Sequence, residues 1–417
     1  MEKSGKFRLT SLERNWILYD VGNSAFVLMV ATLIPIFFNA LAAAGGLSSV
    51  EYLAYWGYAS SAVTIITAIL SPILGTVADT KGFKKPIFIL CVFVGIVGCC
   101  AMGAASAWLP FLVIFVIAKV GFSGSLVFYD SMLSDVTTPE RMDEVSSRGY
   151  AWGYIGSCVP FVVCLGLVLG AGSIGISQMT ALNLALLLTA AWWLLTTLPL
   201  LKSYKQLYYV EVEKHAVRQS FARIGHTLRH LPEDKQVFWF LLAFFCYIDG
   251  VYTIIDMATA YGTALGLDTT GLLLALLVTQ IVAFPSALIF GRLSNRYPSA
   301  KLIPVCIAAY AGIAVFAFFL TQQWQFWVLA VIVGMFQGGV QALSRSHFAK
   351  IIPPEKSGEY FGLFDICGKG ASFLGTMIVS VGSQLTGSAN VGVGSLIVLF
   401  IVGFALFRVS CRQGETA

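Results

Sequence analysis

Residues 327–350 read WVLAVIVGMFQGGVQALSRSHFAK. Eighteen uncharged residues are followed by an arginine, a histidine and a lysine within six positions. Lipid gives a bare peptide group no hydrogen-bond partner, so a run this apolar crosses a membrane only as a helix. About 20 such residues span the roughly 30 Å of hydrocarbon. The charged cluster then marks where this helix leaves the membrane, and it raises the question of what those charges meet there.

Comparable runs recur along the chain. They predict spans at 16–42, 52–79, 85–106, 109–135, 143–170 and 179–201, then 236–262, 270–297, 301–320, 324–350, 357–385 and 390–408. Composition agrees: 58% of the 417 residues are hydrophobic and 11% are charged, against roughly 25% charged in a typical soluble domain. The chain reads as an all-α membrane protein with twelve transmembrane helices.

Charge distribution tests this map independently. Lys3, Lys6, Arg8 and Arg14 precede the first span, Lys81, Lys84 and Lys85 follow the second, and Arg141 follows the fourth. Arg296, Lys301, Lys350, Lys356, Arg408 and Arg412 continue the series, while alternate connections such as AAAGGLSS, GAGSIGIS, TQQWQ and TGSAN carry no Lys or Arg. By the positive-inside rule both termini are expected in the cytoplasm. The net charge of +5 is then a matter of topology and calls for no nucleic-acid partner. No cleavable leader is expected in the polar first fifteen residues. Of the nine cysteines, all but Cys411 fall in predicted spans, with no CxxC or His-Cys cluster, so neither a metal nor any other cofactor is expected.

One long polar segment divides the chain into an N-terminal six-helix bundle (1–201), a cytoplasmic linker (202–235) and a C-terminal six-helix bundle (236–417). The linker is expected to form either an amphipathic surface helix or a solvated tether. The two halves repeat. Shifted by 215 positions, GSLVFYDSMLSDVTTPER at 124–141 falls on GVQALSRSHFAKIIPPEK at 339–356, so that Asp130 meets Arg345 and Asp135 meets Lys350. Near the second span Gly75 aligns with Gly291 and Asp79 with Asn295. Opposite charges at equivalent places in two related halves can meet near their pseudo-axis. This predicts a gate built from Asp130, Arg345 and Asp20, against the alternative of a static pair or of side chains reaching the headgroups.

GTVADTKGFKK at 75–85 resembles the signature between helices two and three of the major facilitator superfamily, whose members are built from two six-helix repeats. That resemblance implies two pseudo-symmetric bundles around a central cavity. It also implies that Asp79, with Lys84 and Lys85 nearby, pairs across the cytoplasmic helix ends and holds an outward-open state. WILYDVGNSAF (16–26), VFYDSMLSD (127–135) and GGVQALSRSHFAKIIPPEKSGEYFGLFDICGKGAS (338–372) resemble the vacuole-effluxer-like branch, prokaryotic members included. Val21-Gly22, Asp130 and Ser134 depart from residues common in that branch. Its fungal members are associated with amino-acid release from the vacuole, which makes amino-acid export the first expectation here.

Ionisable residues inside spans usually face a cavity or a partner. Lys119, Asp249 and Lys369 fall nearest the midplane, and Asp256 lies two turns beyond Asp249. The expected substrate site comprises Asp249, Lys369, Lys119, Tyr19, Asn23 and Gln341. Lys369 would meet a substrate carboxylate and Asp249 an amine, unless Lys369 pairs with Asp365 on its own helix. Asp249 and Asp256 are the expected proton carriers. His347 reads either as a pH sensor or as a packing residue. The whole predicts a monomeric secondary transporter of a small polar metabolite in the cell membrane, working by alternating access and without enzymatic chemistry. A sugar or drug effluxer of the same fold, or a non-transporting sensor, are the alternatives.

Overall fold

The computed structural model describes residues 7–211, 225–227 and 229–415. Twelve spanning helices account for most of them: α1 (Ser11–Ala44), α2 (Ser49–Ala78), α3 (Lys84–Ala104), α4 (Trp108–Ser131), α5 (Met142–Leu169), α6 (Gln178–Ser203), α7 (Lys235–Ala264), α8 (Thr269–Leu293), α9 (Ser299–Phe318), α10 (Gln323–Ile351), α11 (Ser357–Thr386) and α12 (Ile397–Glu415). The expected spans all appear, several extended by a turn or two where polar residues continue the helix beyond the hydrocarbon. Caps set some starts: Thr10 and Glu13 form a reciprocal capping box on α1, as Ser48 and Glu51 do on α2, each satisfying otherwise orphaned N–H groups. The regular path of α1 breaks at Thr32, three residues before Pro35, whose ring cannot accommodate the carbonyl four residues earlier.

Helix packing carries the repeat into three dimensions. In the first half α1 packs on α5 and α6, α2 on α4, and α3 on α4 and α6. In the second, α7 packs on α11 and α12, α8 on α10, and α9 on α10 and α12. Each pair has its counterpart six helices on. The halves meet where α2 packs on α11 and where α5 packs on α8, and these contacts are again counterparts.

Lipid tails are as apolar as leucine, so helices in a membrane associate through close packing and polar contacts rather than through the hydrophobic effect. The seam follows that rule. A Cβ at Gly75 would lie 2.1 Å from the Gly358 carbonyl oxygen, and one at Gly362 would lie 2.6 Å from Pro72 Cα. At the counterpart seam a Cβ on Gly291 would come within 2.8 Å of Ser147. Glycines therefore let backbone touch backbone at the α2–α11 seam and backbone touch the Ser147 side chain at the α5–α8 seam.

The linker is only partly described, since 212–224 and 228 lie outside the described residues. Within it, 204–211 is neither helix nor solvated tether but an extended strap against the α2–α3 turn. Val210 donates to the Asp79 carbonyl (2.8 Å) and accepts from Lys81 (3.3 Å), while Gln206 Nε2 donates to the Ala78 carbonyl (3.1 Å).

Candidate substrate cavity and its gate

The α2–α3 turn, the starts of α1, α5 and α11 and the end of α10 lie at one end of the bundle. There the halves are joined by polar contacts. Asp79, just past α2, accepts from the backbone N–H of Gly358 (2.7 Å) and of Glu359 (2.8 Å) at the start of α11. A carboxylate at a helix N-terminus is favoured by both the free N–H groups and the dipole. Lys84 is fully buried between Asp79 (3.7 Å) and Asp135 (3.5 Å) and donates across the seam to Ser357 Oγ (2.9 Å). Asp135 is in turn held by the strap, accepting from Tyr204 Oη (2.6 Å) and from the N–H groups of Leu207 and Tyr208. Lys85, the other expected member, has no ion pair among the described residues. It follows Lys84 directly, and adjacent positions on a helix face different directions.

On the counterpart seam Lys350 pairs with Asp143 (2.6 Å), which also accepts from Ser346 Oγ (2.6 Å), and Asn295 donates to Glu144 (2.8 Å). Asn295 and Glu144 stand 216 and 215 positions from Asp79 and Glu359, so the repeat reproduces a polar clasp with altered chemistry. At the rim Arg141 grips Glu13 through two bonds of 2.8 Å. That contact raises the Arg141 pKa above its ordinary value.

Between the clasps sits the predicted charge pair. Arg345 Nη1 lies 3.0 Å from Asp130 Oδ1 and 3.8 Å from Asp20 Oδ2. Its Nε donates to Ser146 Oγ (2.9 Å) and its Nη2 to the Ser146 carbonyl (3.0 Å). The guanidinium also lies over the rings of Trp16 (4.7 Å) and Tyr150 (4.4 Å), close enough for cation–π attraction. Arg345 belongs to the second half and all these partners to the first. The residue therefore works as a bolt, and Gly149 leaves it room: a Cβ there would sit 3.0 Å from Asp20 Oδ2 and 3.1 Å from Arg345 Nη2.

Beyond the bolt a cavity of about 420 Å³ separates the halves. It is lined from α1, α4, α5, α7, α8, α10 and α11. Asn23, Lys119, Asp256, Gln341 and Lys369 all face it, with Asp20, Asp130 and Arg345 at its base. Lys369 Nζ donates to Asp365 (2.6 Å), which also accepts from Ser71 across the seam (2.7 Å). Lys119 and Asp256 feel one another's charge, yet neither has a hydrogen-bond or ion-pair partner among the described residues. Lys119 instead lies over the Phe122 ring (4.7 Å).

Two expected site residues are elsewhere. Asp249 is fully buried on α7 and engaged with α11 rather than lining the cavity, accepting from Gly375 N (2.9 Å) and, within α7, from Thr253 Oγ1 (3.3 Å). It does not meet Lys369. The cavity side of α7 bears Tyr252 and Asp256; seven residues leave Asp249 only about 20° from Asp256 around the helix but two turns nearer the sealed end, where the α11 backbone at Gly375 takes it up. Tyr19 is buried inside the first half, donating to Ser125 Oγ (2.6 Å). His347 packs on Phe240 and Phe407 and contacts Ser299 Oγ (3.2 Å), which is the packing alternative. The Lys369–Asp365 pair is the intrahelical alternative, while sequence reasoning missed Ser146 and the amides Gln280 and Gln337. Single hydroxyl and amide groups give no periodic signal.

The model of the vacuole effluxer Atg22-like family matches residues 11–140 and 134–416. The chain belongs to this family. An MFS-type transporter of Bacillus subtilis (strain 168), YxiO, itself uncharacterized, is 42% identical over 414 residues, covering 98% of this chain and 97% of its own. Autophagy-related protein 22 of Coccidioides immitis (strain RS) is 25% identical over 315 residues, 65% of this chain and 51% of that one. The match thus spans about half the length of the fungal relatives. Among solved structures, the human organic anion transporter MFSD10 (TETRAN) superposes with a TM-score of 0.72 at 14% identity, over 95% of this chain and 99% of that one. The transporter FucP in its outward conformation gives 0.71 at 16%, over 96% and 97%. Such identities speak to fold, and the fold is that of the major facilitator superfamily. With the relatives, this makes the Atg22-like chain a multi-pass membrane protein and a secondary transporter.

Proposed function

We propose that this Atg22-like protein exports a small zwitterionic metabolite, amino acids first, across the cell membrane by alternating access. The observation that carries the reading is the pair Lys119 and Asp256. They are opposite charges facing one cavity of about 420 Å³ without protein partners among the described residues. A charge taken out of water is costly unless paired, so each is poised for a ligand group of opposite sign. Lys119 would take a carboxylate and Asp256 an amine, with Asn23, Gln341 and the Lys369–Asp365 pair alongside. The volume lies within the roughly 300–1,000 Å³ range of small-ligand sites. The basic loops support a sealed end in the cytoplasm, together with both termini, and hence an outward-facing state. The direction, export, follows the vacuole-effluxer name of the family, and a transmembrane gradient is the energy source. We further propose that the chain acts as a monomer, with 1–201 and 236–417 as its moving halves.

A second reading rests on the amide groups Asn23, Gln280, Gln337 and Gln341 in the same wall, which would suit a sugar. Counterflow with purified protein in liposomes separates the two: labelled amino acids, sugars and organic acids are offered in turn. Amino-acid counterflow that is lost in Lys119→Met and in Asp256→Asn supports the zwitterion site. Counterflow of sugar alone, untouched by those variants, discards it.

A further inference from the structure

The base of the cavity holds two carboxylates and one guanidinium. Asp130 and Asp20 approach the same nitrogen of Arg345, at 3.0 and 3.8 Å. The other titratable or charged groups that face the two acids are Asp365 of α11 and the phenols Tyr129 of α4, Tyr150 and Tyr154 of α5 and Tyr252 of α7. None is a cation, and Asp365 already has Lys369. The cluster therefore carries one negative charge more than it can match. Two carboxylates sharing a low-dielectric site do not both ionise readily.

The two acids are not equivalent. Asp130 makes the short contact with Arg345. Asp20 is buried, 7% exposed, and its Oδ2 has no hydrogen-bond partner, while its Oδ1 accepts only a long contact of 3.5 Å from Asn23. The Tyr129 hydroxyl of α4 and the Tyr154 hydroxyl of α5 are buried in the same wall, Tyr129 toward Asp20 and Tyr154 toward Gln337, neither close enough for a full hydrogen bond. An orphan carboxylate oxygen beside orphan hydroxyls, with charge in excess, is a place built to gain a cation. A bare proton is the cation that fits, because Arg345 and Gly149 close in on the same oxygen.

We infer that Asp20 is a proton-binding site of the transport cycle. It holds a proton on Oδ2 while this end is sealed, and Asp130 alone then neutralises Arg345. The proton comes from water in the open cavity. When the halves part at the sealed end, Arg345 withdraws with the second half, Asp20 meets water on that side, and the proton leaves there. One proton thus moves opposite to an exported solute. That direction rests on the transporter reading above, but the proton itself does not.

Infrared difference spectroscopy on the full-length protein in lipid bilayers tests the site without any substrate, by titrating bulk pH and following the carbonyl stretch of protonated carboxyl groups. The wild type is expected to show a band lost as pH rises. Asp20→Asn should abolish that band and Asp20→Glu should shift it, which keeps the assignment testable if the asparagine variant folds poorly. Arg345→Gln should add a second band, from Asp130. A wild-type band unchanged in Asp20→Asn, or lost in Asp249→Asn or Asp256→Asn instead, overturns the assignment. Because no solute is present, that failure leaves the amino-acid reading standing, and a failed counterflow leaves the proton site standing.

Discussion

Replacing Gly75 by alanine should loosen the seal between the halves without disturbing either half alone. The new Cβ would be placed 2.1 Å from the Gly358 carbonyl oxygen and 2.7 Å from its carbon, where ordinary contact begins near 3.4 Å. Both atoms are backbone, so no rotamer relieves the clash, and α2 and α11 must separate by about 1 Å. Overpacking of this kind costs about 1–3 kcal/mol. The bonds from Gly358 and Glu359 to Asp79, now 2.7 and 2.8 Å, lengthen at the same time. Alanine's helix preference over glycine, about 1 kcal/mol, is gained in both conformations and cancels. The sealed population should then fall about 5- to 150-fold relative to the open one. Double electron–electron resonance reads this directly, with nitroxides at Lys85→Cys and Lys356→Cys in a variant whose nine native cysteines are replaced, reconstituted in nanodiscs. Gly75→Ala should add a longer-distance population. Gly166→Ala, whose Cβ meets nothing within 4 Å, should not. Superimposable distributions for Gly75→Ala and the parent would refute the close-approach argument.

Arg345→Ala leaves Asp130 and Asp20 buried without their cation, and loss of one partner of a buried pair costs about 3–5 kcal/mol. The thermal midpoint should drop and should partly recover in Arg345→Ala/Asp130→Asn. Reversing the pair, Asp130→Arg with Arg345→Asp, should restore transport only in part, because the Ser146 carbonyl and Asp20 would then face a carboxylate. Asp249→Ala orphans the Gly375 N–H at a cost of about 1–3 kcal/mol. It should lower the thermal midpoint and leave the half-saturating solute concentration in counterflow unchanged, where a cavity role would raise it. Tyr204→Phe removes a hydrogen bond to an ionised acid, worth about 1.5–3 kcal/mol. Deuterium exchange at the Leu207 and Tyr208 amides should quicken, and unchanged protection would show that the strap does not depend on Asp135.

How far the sequence reached depended on which physical signal each feature leaves. Spans were legible because a membrane demands a continuous apolar run, and Asp130 opposite Arg345 was legible because a repeat maps a place in one half onto a place in the other. The Asp79 clasp was legible as a resemblance. The cavity was legible by depth but not residue by residue. Lys119 and Lys369 do face it, whereas Asp249, at a suitable depth, is taken up by the α11 backbone at Gly375. In a helix buried on several sides, apolar residues occur all round, so no polar stripe says which face is wet. A hydrogen bond between distant segments that no repeat relates, such as that of Lys84 to Ser357, leaves no one-dimensional trace.

The two clasps at the sealed end differ in a way that bears on how the seal can open. On one side a carboxylate, Asp79, caps α11 and holds Lys84, and Lys84 is held again by a strap-bound Asp135. On the other, an amide, Asn295, donates to Glu144, while Lys350 and Asp143 form a pair that is a quarter exposed on the lysine side. Partial exposure screens that pair, whereas Lys84 and both its acids are fully covered. Lys84 and both its acids belong to the first half, so parting that seam removes only the hydrogen bonds to Ser357 and to the α11 N–H groups, whereas parting the other separates Lys350 from Asp143 across the halves. The two seams therefore differ in what holds them: at α2–α11, touching glycines and hydrogen bonds to a charge cluster that stays whole within the first half; at α5–α8, an ion pair shared between the halves.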